Sequence, residues 1–261
     1  MRNYLKMTIA GALLAGSVGV ASAADMPVAP APPPPPPYNW TGYWLGFGIG
    51  GFFGGESTVT FPGGLIGGPG GLLGGSIAPE INQPIVAFHG THTHQLAGFG
   101  WGNLVIGIDQ AGHLPLDNDL DTVACPNALL SCGVRIQSLF TTGALLGLAW
   151  DRVLFSVRGG WAAGQVQTRT FTNPGGILFD NTSRWHSGWY VGGAIDWAVY
   201  KTAGTSGVIG IEYNYVDLGD IVHCQFGCGP APGFVRNVDV TANVIKAKFS
   251  IKLDGPPLLP F

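Results

Sequence analysis

The chain has 261 residues, of which 10% are charged and 46% hydrophobic, with a net charge of −3, 43 glycines and 20 prolines. Ordinary soluble domains carry ~25% charged residues, so this chain has too few to cover a water-facing surface of its size. The small net charge and the lack of any basic cluster exclude nucleic acid as a partner.

Met1–Ala23 reads as a secretory signal peptide: Arg2 and Lys6 open it, an apolar run follows, and Ala21-Ser22-Ala23 supplies the cleavage site. Residues 24–39 form a Pro-rich periplasmic linker with six consecutive prolines, an extended polyproline II spacer reaching ~3.1 Å per residue. After the signal no run of ~18 apolar residues remains, so a spanning helix is excluded.

From Trp40 onward the pattern has period two. Strands are expected to open at Trp40, to run up to Trp101, and to cover Asn103–Gly112, Leu139–Trp150, Val153–Thr170, Trp185–Tyr200, Val208–Val216 and Val240–Leu253. In these segments Asp109, Arg158, Asp196, Glu212, Lys246 and Lys248 share one face, while Ile108, Val157, Ile195, Ile211, Ile245 and Phe249 take the other. Oil outside and charge inside describes an all-β fold: an eight-stranded antiparallel transmembrane β-barrel over residues 40–253, with a tail at 254–261.

Tight connections at Gly102-Asn103, Asp151-Arg152 and Thr202–Ser206 alternate with long stretches at Gly54–Pro84, Leu114–Ser138, Phe171–Arg184 and Asp217–Asp239. Short periplasmic turns and long extracellular loops give the outer-membrane orientation. Trp40, Tyr43, Trp101, Trp150, Trp197 and Tyr200 are expected to form an interfacial girdle at the short-turn end.

Three acidic and three basic lumen residues are expected to pair into a plug rather than an open pore, because unpaired ions in a closed interior are costly. A narrow channel is the alternative. The four cysteines suit an oxidising compartment, with Cys125 close to Cys132 and Cys224 close to Cys228; local loop disulfides are expected, and no Cys-x-x-Cys pair marks zinc. The site candidate for haem or a metal is His89-Gly-Thr-His92-Thr-His94, entering the second strand from a polar loop. There His92 and His94 share a face, and His113, His186 and His223 are candidates to converge with them. His186-Ser187 is the nearest approach to a base and nucleophile, at a spacing that distinguishes nothing.

Asn39-Trp40-Thr41-Gly42-Tyr43-Trp44-Leu45-Gly46, Gly188–Trp197 and Glu212–Gly219 resemble the first, sixth and seventh strands of small outer-membrane β-barrels of the α-proteobacteria. These are the opacity-protein-like surface antigens often labelled porin family. The resemblance implies a non-catalytic envelope protein among outer-membrane lipid and lipopolysaccharide, inserted by the barrel assembly machinery, with haemin binding in some members. It also implies a peptidoglycan tether through a mature Ala24-Asp25 start. The Pro-rich tail departs from the family's closing aromatic residue, which puts Phe249 and Phe261 in question as the assembly signal.

Overall fold

The computed structural model describes residues 38–61, 75–100, 102–118, 120–202, 204–224 and 235–253. The signal segment, Ala24, Asp25, the proline tract, Trp101, Cys228 and the 254–261 tail lie outside them.

Among the described residues, ten strands form one antiparallel sheet: β1 (Gly42–Phe61), β2 (Gly75–Ile77), β3 (Glu80–Phe99), β4 (Gly102–Pro115), β5 (Thr122–Ala124), β6 (Leu130–Trp150), β7 (Val153–Thr172), β8 (Leu178–Thr202), β9 (Thr205–Cys224) and β10 (Val235–Leu253). Eight of them make the wall in the order β10-β9-β8-β7-β6-β4-β3-β1, and β1 pairs back onto β10 from Tyr43↔Leu253 to Thr60↔Asn237. Closure leaves no open edge in the wall. The short β2 and β5 continue the ladders of β1 and β6 where β3 and β4 no longer run alongside.

The exterior is banded. Leu45, Phe47, Ile49, Ile108, Leu146, Phe155, Val157, Ile195, Ile211 and Ile245 point outward and are exposed. Trp150, Trp197 and Tyr200 edge this band at the short turns, and Trp161, Trp189 and Tyr213 edge it at the other end. Val153–Trp161 and Trp189–Trp197 are each close to the ~9–11 residues a tilted strand needs to cross a bilayer. A closed wall with an apolar belt and two aromatic edges is an integral outer-membrane barrel.

The wall strands continue well past that band; β8 alone is 25 residues long. Much of each stretch expected to be loop is therefore strand. Outside the band the same period two runs with its sign reversed. Glu56, Thr58, Asn181, Ser183, Asp220 and Asp239 face water, while Val59, Phe61, Ile81, Val134, Ile136, Val166, Leu218, Val238 and Val240 pack inside as one apolar core. Irregularities at Phe53/Ser57, Ile136/Ser138 and Asp239/Thr241 gather where the wall leaves the band. Gly54 (φ 51°) and Gly219 (φ 64°) supply left-handed backbone there. Such bulges change which residues face inward and add twist, so the extension can close onto its own core.

The first tight connection does not fall at Gly102-Asn103, since β3 runs to Phe99 and β4 already begins at Gly102. The second is as expected, with Asp151 at φ 48°, a conformation Asp tolerates.

Cys125 and Cys132 are joined in a disulfide that fastens β5 to β6, and Cys224 is also disulfide-bonded. Closing so short a loop stabilises the rim by about 2 kcal/mol. Reduction, or Cys125→Ser with Cys132→Ser, should make residues 116–130 a protease-sensitive segment on intact cells while the barrel keeps its unboiled gel mobility.

Candidate functional site

Ring by ring from the short-turn end, the lumen is filled by three chemically different layers. The lowest is aromatic and aliphatic. The residues preceding β1 fold into the mouth, so Tyr38 and Trp40 pack with Trp44, Leu145, Leu154 and Val208. Trp40 stacks on Trp44 with ring centroids 5.1 Å apart. Its indole N–H donates to Asp151 O (2.8 Å) and its backbone N–H to Gln95 Oε1 (2.8 Å), while the Thr93 hydroxyl donates to Trp40 O. Lys252 Nζ lies 5.5 Å from the Tyr38 ring centroid, a cation–π distance. Trp40 is thus a stopper and not a member of the interfacial girdle: with 0% of its surface exposed, it has no lipid contact.

The middle layer is ionic. Arg158, from β7, is its hub: Nη1 meets Asp109 Oδ1 at 2.7 Å and Glu212 Oε2 at 2.8 Å, and Nη2 meets Asp196 Oδ2 at 3.3 Å. Lys248 bridges Asp196 (3.0 Å) and Glu212 (3.2 Å), and Lys246 binds Glu212 at 2.9 Å. All six side chains are buried. With three charges of each sign in mutual contact, the layer is neutral, the condition under which buried ions persist. Gly210 makes the room, since a Cβ there would stand 2.2 Å from Asp196 Oδ1.

Period two places those six residues on one face; of their neutral partners, Thr91, His89 and Ser250 carry no charge to mark them. Thr91 donates to Asp109 Oδ1 (2.7 Å), His89 Nε2 lies 2.8 Å from Ser250 Oγ, and Lys246 Nζ donates to His113 Nε2 (3.1 Å). His113 sits at i+4 from Asp109 on one strand, so alternation alone could have found it.

The upper layer is the apolar core, crossed by one polar chain. Arg236 ion-pairs with Asp180 and donates through Nε to Thr168 Oγ1 at 2.9 Å. Thr168 Oγ1 lies 3.2 Å from His223 Nδ1, His223 Nε2 lies 2.9 Å from His186 Nε2, and His186 Nδ1 lies 3.4 Å from Gly219 O. One neutral proton pattern satisfies the chain: Thr168 donates to His223, His223 to His186, and His186 to the carbonyl. Burial, reinforced by His186, Arg236 and Arg184, lowers the His223 pKa to about 3; burial also lowers that of His186.

The histidines do not converge as expected. His186 and His223 meet in the upper layer, and His89 and His113 belong to the middle one. His92 and His94 sit inside β3, not in a polar loop, and alternate with the inward Thr91 and Thr93, so they face outward from the wall. Among the described residues no group of three or more His, Cys, Asp or Glu is placed to hold a metal ion. His186 and Ser187 point to opposite sides of the wall. The Ser187 hydroxyl accepts from the Trp161 indole at 2.7 Å, so the two do not form a base–nucleophile pair.

No protein-family model matches this chain, and no curated protein matches it. Solved structures similar to it include Neisserial surface protein A, with 12% identity, 82% of this chain and 98% of that chain covered, and a TM-score of 0.36. The outer membrane protease OmpT from Escherichia coli aligns with 9% identity, 81% and 97% coverage and a TM-score of 0.41. Ail of Yersinia pestis aligns with 10% identity, 80% and 99% coverage and a TM-score of 0.31. At these values the likenesses carry no functional weight; the closed ring and banded exterior stand on their own geometry.

Proposed function

We propose that this protein is a closed surface barrel of the outer membrane whose work is structural, supporting envelope integrity without catalysis. The observation that carries the reading is the filled lumen: an aromatic stopper, a neutral ion lattice and an apolar core follow one another along the axis, and each layer alone would stop an ion. The strand motifs quoted above favour the opacity-protein-like kind of small barrel. Lipopolysaccharide around the outer girdle, insertion by the barrel assembly machinery and a peptidoglycan tether at Ala24-Asp25 belong to the same reading. In it, the tether lies upstream of Trp40, which holds the start of the barrel at the short-turn mouth.

Purified outer membranes, analysed by unboiled gel mobility beside lysozyme-digested sacculi, test this. A fast-migrating unboiled band with a ladder of muropeptide adducts supports a tethered barrel. Adducts missing from every Asp25-containing peptide remove the tether. In planar bilayers the wild type should give no steady current, and Trp40→Ala with Trp44→Ala should stay silent because two layers remain. Open-channel steps in the wild type would overturn the closed-lumen reading and favour the narrow channel.

A further inference from the structure

His92 and His94 are out of place on a lipid-facing wall. An imidazole there borders the edge of the hydrocarbon, and a polar group left without a partner beside it is costly. Neither ring has a hydrogen bond to the described residues, and His92 Nε2 and His94 Nδ1 are covered and unpartnered. His92 Nδ1 and His94 Nε2 are left for an acceptor that is not part of this wall. His92 is also held in place, its ring centroid 4.6 Å from that of Tyr43.

Two further features say what that acceptor is. The first is depth. His94 stands as far from the end of β3 at Phe99 as Trp197 stands from the end of β8 at Thr202, so both belong to the headgroup level of the short-turn side. The second is a groove of about 580 Å³ that leads from the two imidazoles across Ile106, Ile108, Ala144, Val157, Gly159 and Val191. Its floor is low because Ala144 and Gly159 are cross-strand partners, small residues side by side between larger ones. The volume is that of a small-ligand cleft, and apart from the two histidines and the buried Arg158 its lining is apolar side chains and glycine.

We propose that this groove binds one phospholipid of the periplasmic leaflet, its phosphate accepting hydrogen bonds from His92 and His94 and an acyl chain lying over Ala144 and Gly159. The site depends on the barrel's place in the membrane and not on its structural role, so either can fail alone. It gives the two imidazoles the acceptor that the wall denies them, and it fills a furrow that mobile lipid would cover poorly. A free anion would satisfy the histidines and leave the furrow open; a bare hydrocarbon chain would do the reverse.

The test is native mass spectrometry of the full-length mature protein taken from outer membranes and washed stepwise in mild detergent, with unboiled gel mobility certifying the barrel. The probe for rebinding is phosphatidylglycerol, against the same chains as neutral diacylglycerol. Wild type should keep one phospholipid through washes that strip the rest. His92→Phe with His94→Leu, and separately Ala144→Phe, should each lower retention at least tenfold, while Ile211→Phe, elsewhere on the lipid-facing wall, should change nothing. Equal retention by all four proteins overturns the site. Loss with Ala144→Phe but not with the histidine pair replaced, or equal rebinding of diacylglycerol, overturns the phosphate assignment.

Discussion

Arg158→Leu should be the most damaging single substitution in the barrel, destabilising it by about 3–5 kcal/mol, the cost of removing one partner from a buried ionic group. Three carboxylates, from Asp109, Asp196 and Glu212, converge on one guanidinium, while the two lysines reach only Asp196 and Glu212. Asp109 would keep only the Thr91 hydroxyl among its described side-chain partners, a neutral donor in place of a charged one. Urea titration of the barrel refolded into lipid vesicles measures the loss. Arg158→Lys should recover only part of it, since a single ammonium cannot reproduce the planar fork that meets Asp109 and Glu212 from one nitrogen and Asp196 from another. The leucine variant should still be electrically silent, because the layers above and below do not involve Arg158. A variant as stable as wild type would mean that the lysines already neutralise the layer, and the hub would lose its special place.

Acid should loosen the extracellular half of the barrel before it touches the membrane-spanning half. His186 and His223 face each other through Nε2 and are neutral in the fold. The groups around them are Arg184 and Asp180 from β8, Asp220 from β9, and Arg236 and Asp239 from β10. A proton added at His186 Nε2 turns that acceptor into a donor and sets two N–H groups against each other, and one added at His223 Nδ1 makes a buried imidazolium beside the Arg236 guanidinium. Because the His223 pKa is lowered from 6.5 to about 3 in the fold, its contribution is present in full above about pH 6.5. It is lost progressively as pH falls from there towards 3, for an unfolded segment takes up the proton first. The loss is on the order of 3 kcal/mol for so buried a group. Hydrogen exchange at 162–172, 178–188 and 216–224 should therefore accelerate between pH 6.5 and 4, beyond the intrinsic pH effect. His223→Gln, which keeps an amide in the chain but does not titrate, should flatten that response. Identical profiles for both proteins would remove the imidazole pair as the cause.

Much of this is legible in the sequence for one reason: a strand alternates strictly, so hydrophobic and charged residues at neighbouring positions report the two faces of a wall. Asp109 and Arg158 could be assigned inward without knowing their partners. Alternation continues past the membrane, but there the outward residues are polar, Asn181 and Asp239 among them, and the resulting strands resemble loop sequence. A tryptophan at a strand end, such as Trp40, has two good homes, the headgroup layer and the mouth of the lumen. Only the bonds to Asp151, Gln95 and Thr93 choose between them. His92 and His94 share a face in any strand, but the direction of that face depends on the register of β3 between β1 and β4.

The sequence by itself determined the class of fold, the sense of the wall and the members of the ion lattice, because these follow from period two and from the scarcity of charge. Tertiary structure alone decided that Trp40 turns into the lumen to meet Asp151, that His113 of β4 meets Lys246 of β10, and that β1 pairs back onto β10. Those outcomes depend on closure and stagger around a ring, which bring together residues whose spacing along the chain carries no record of their meeting.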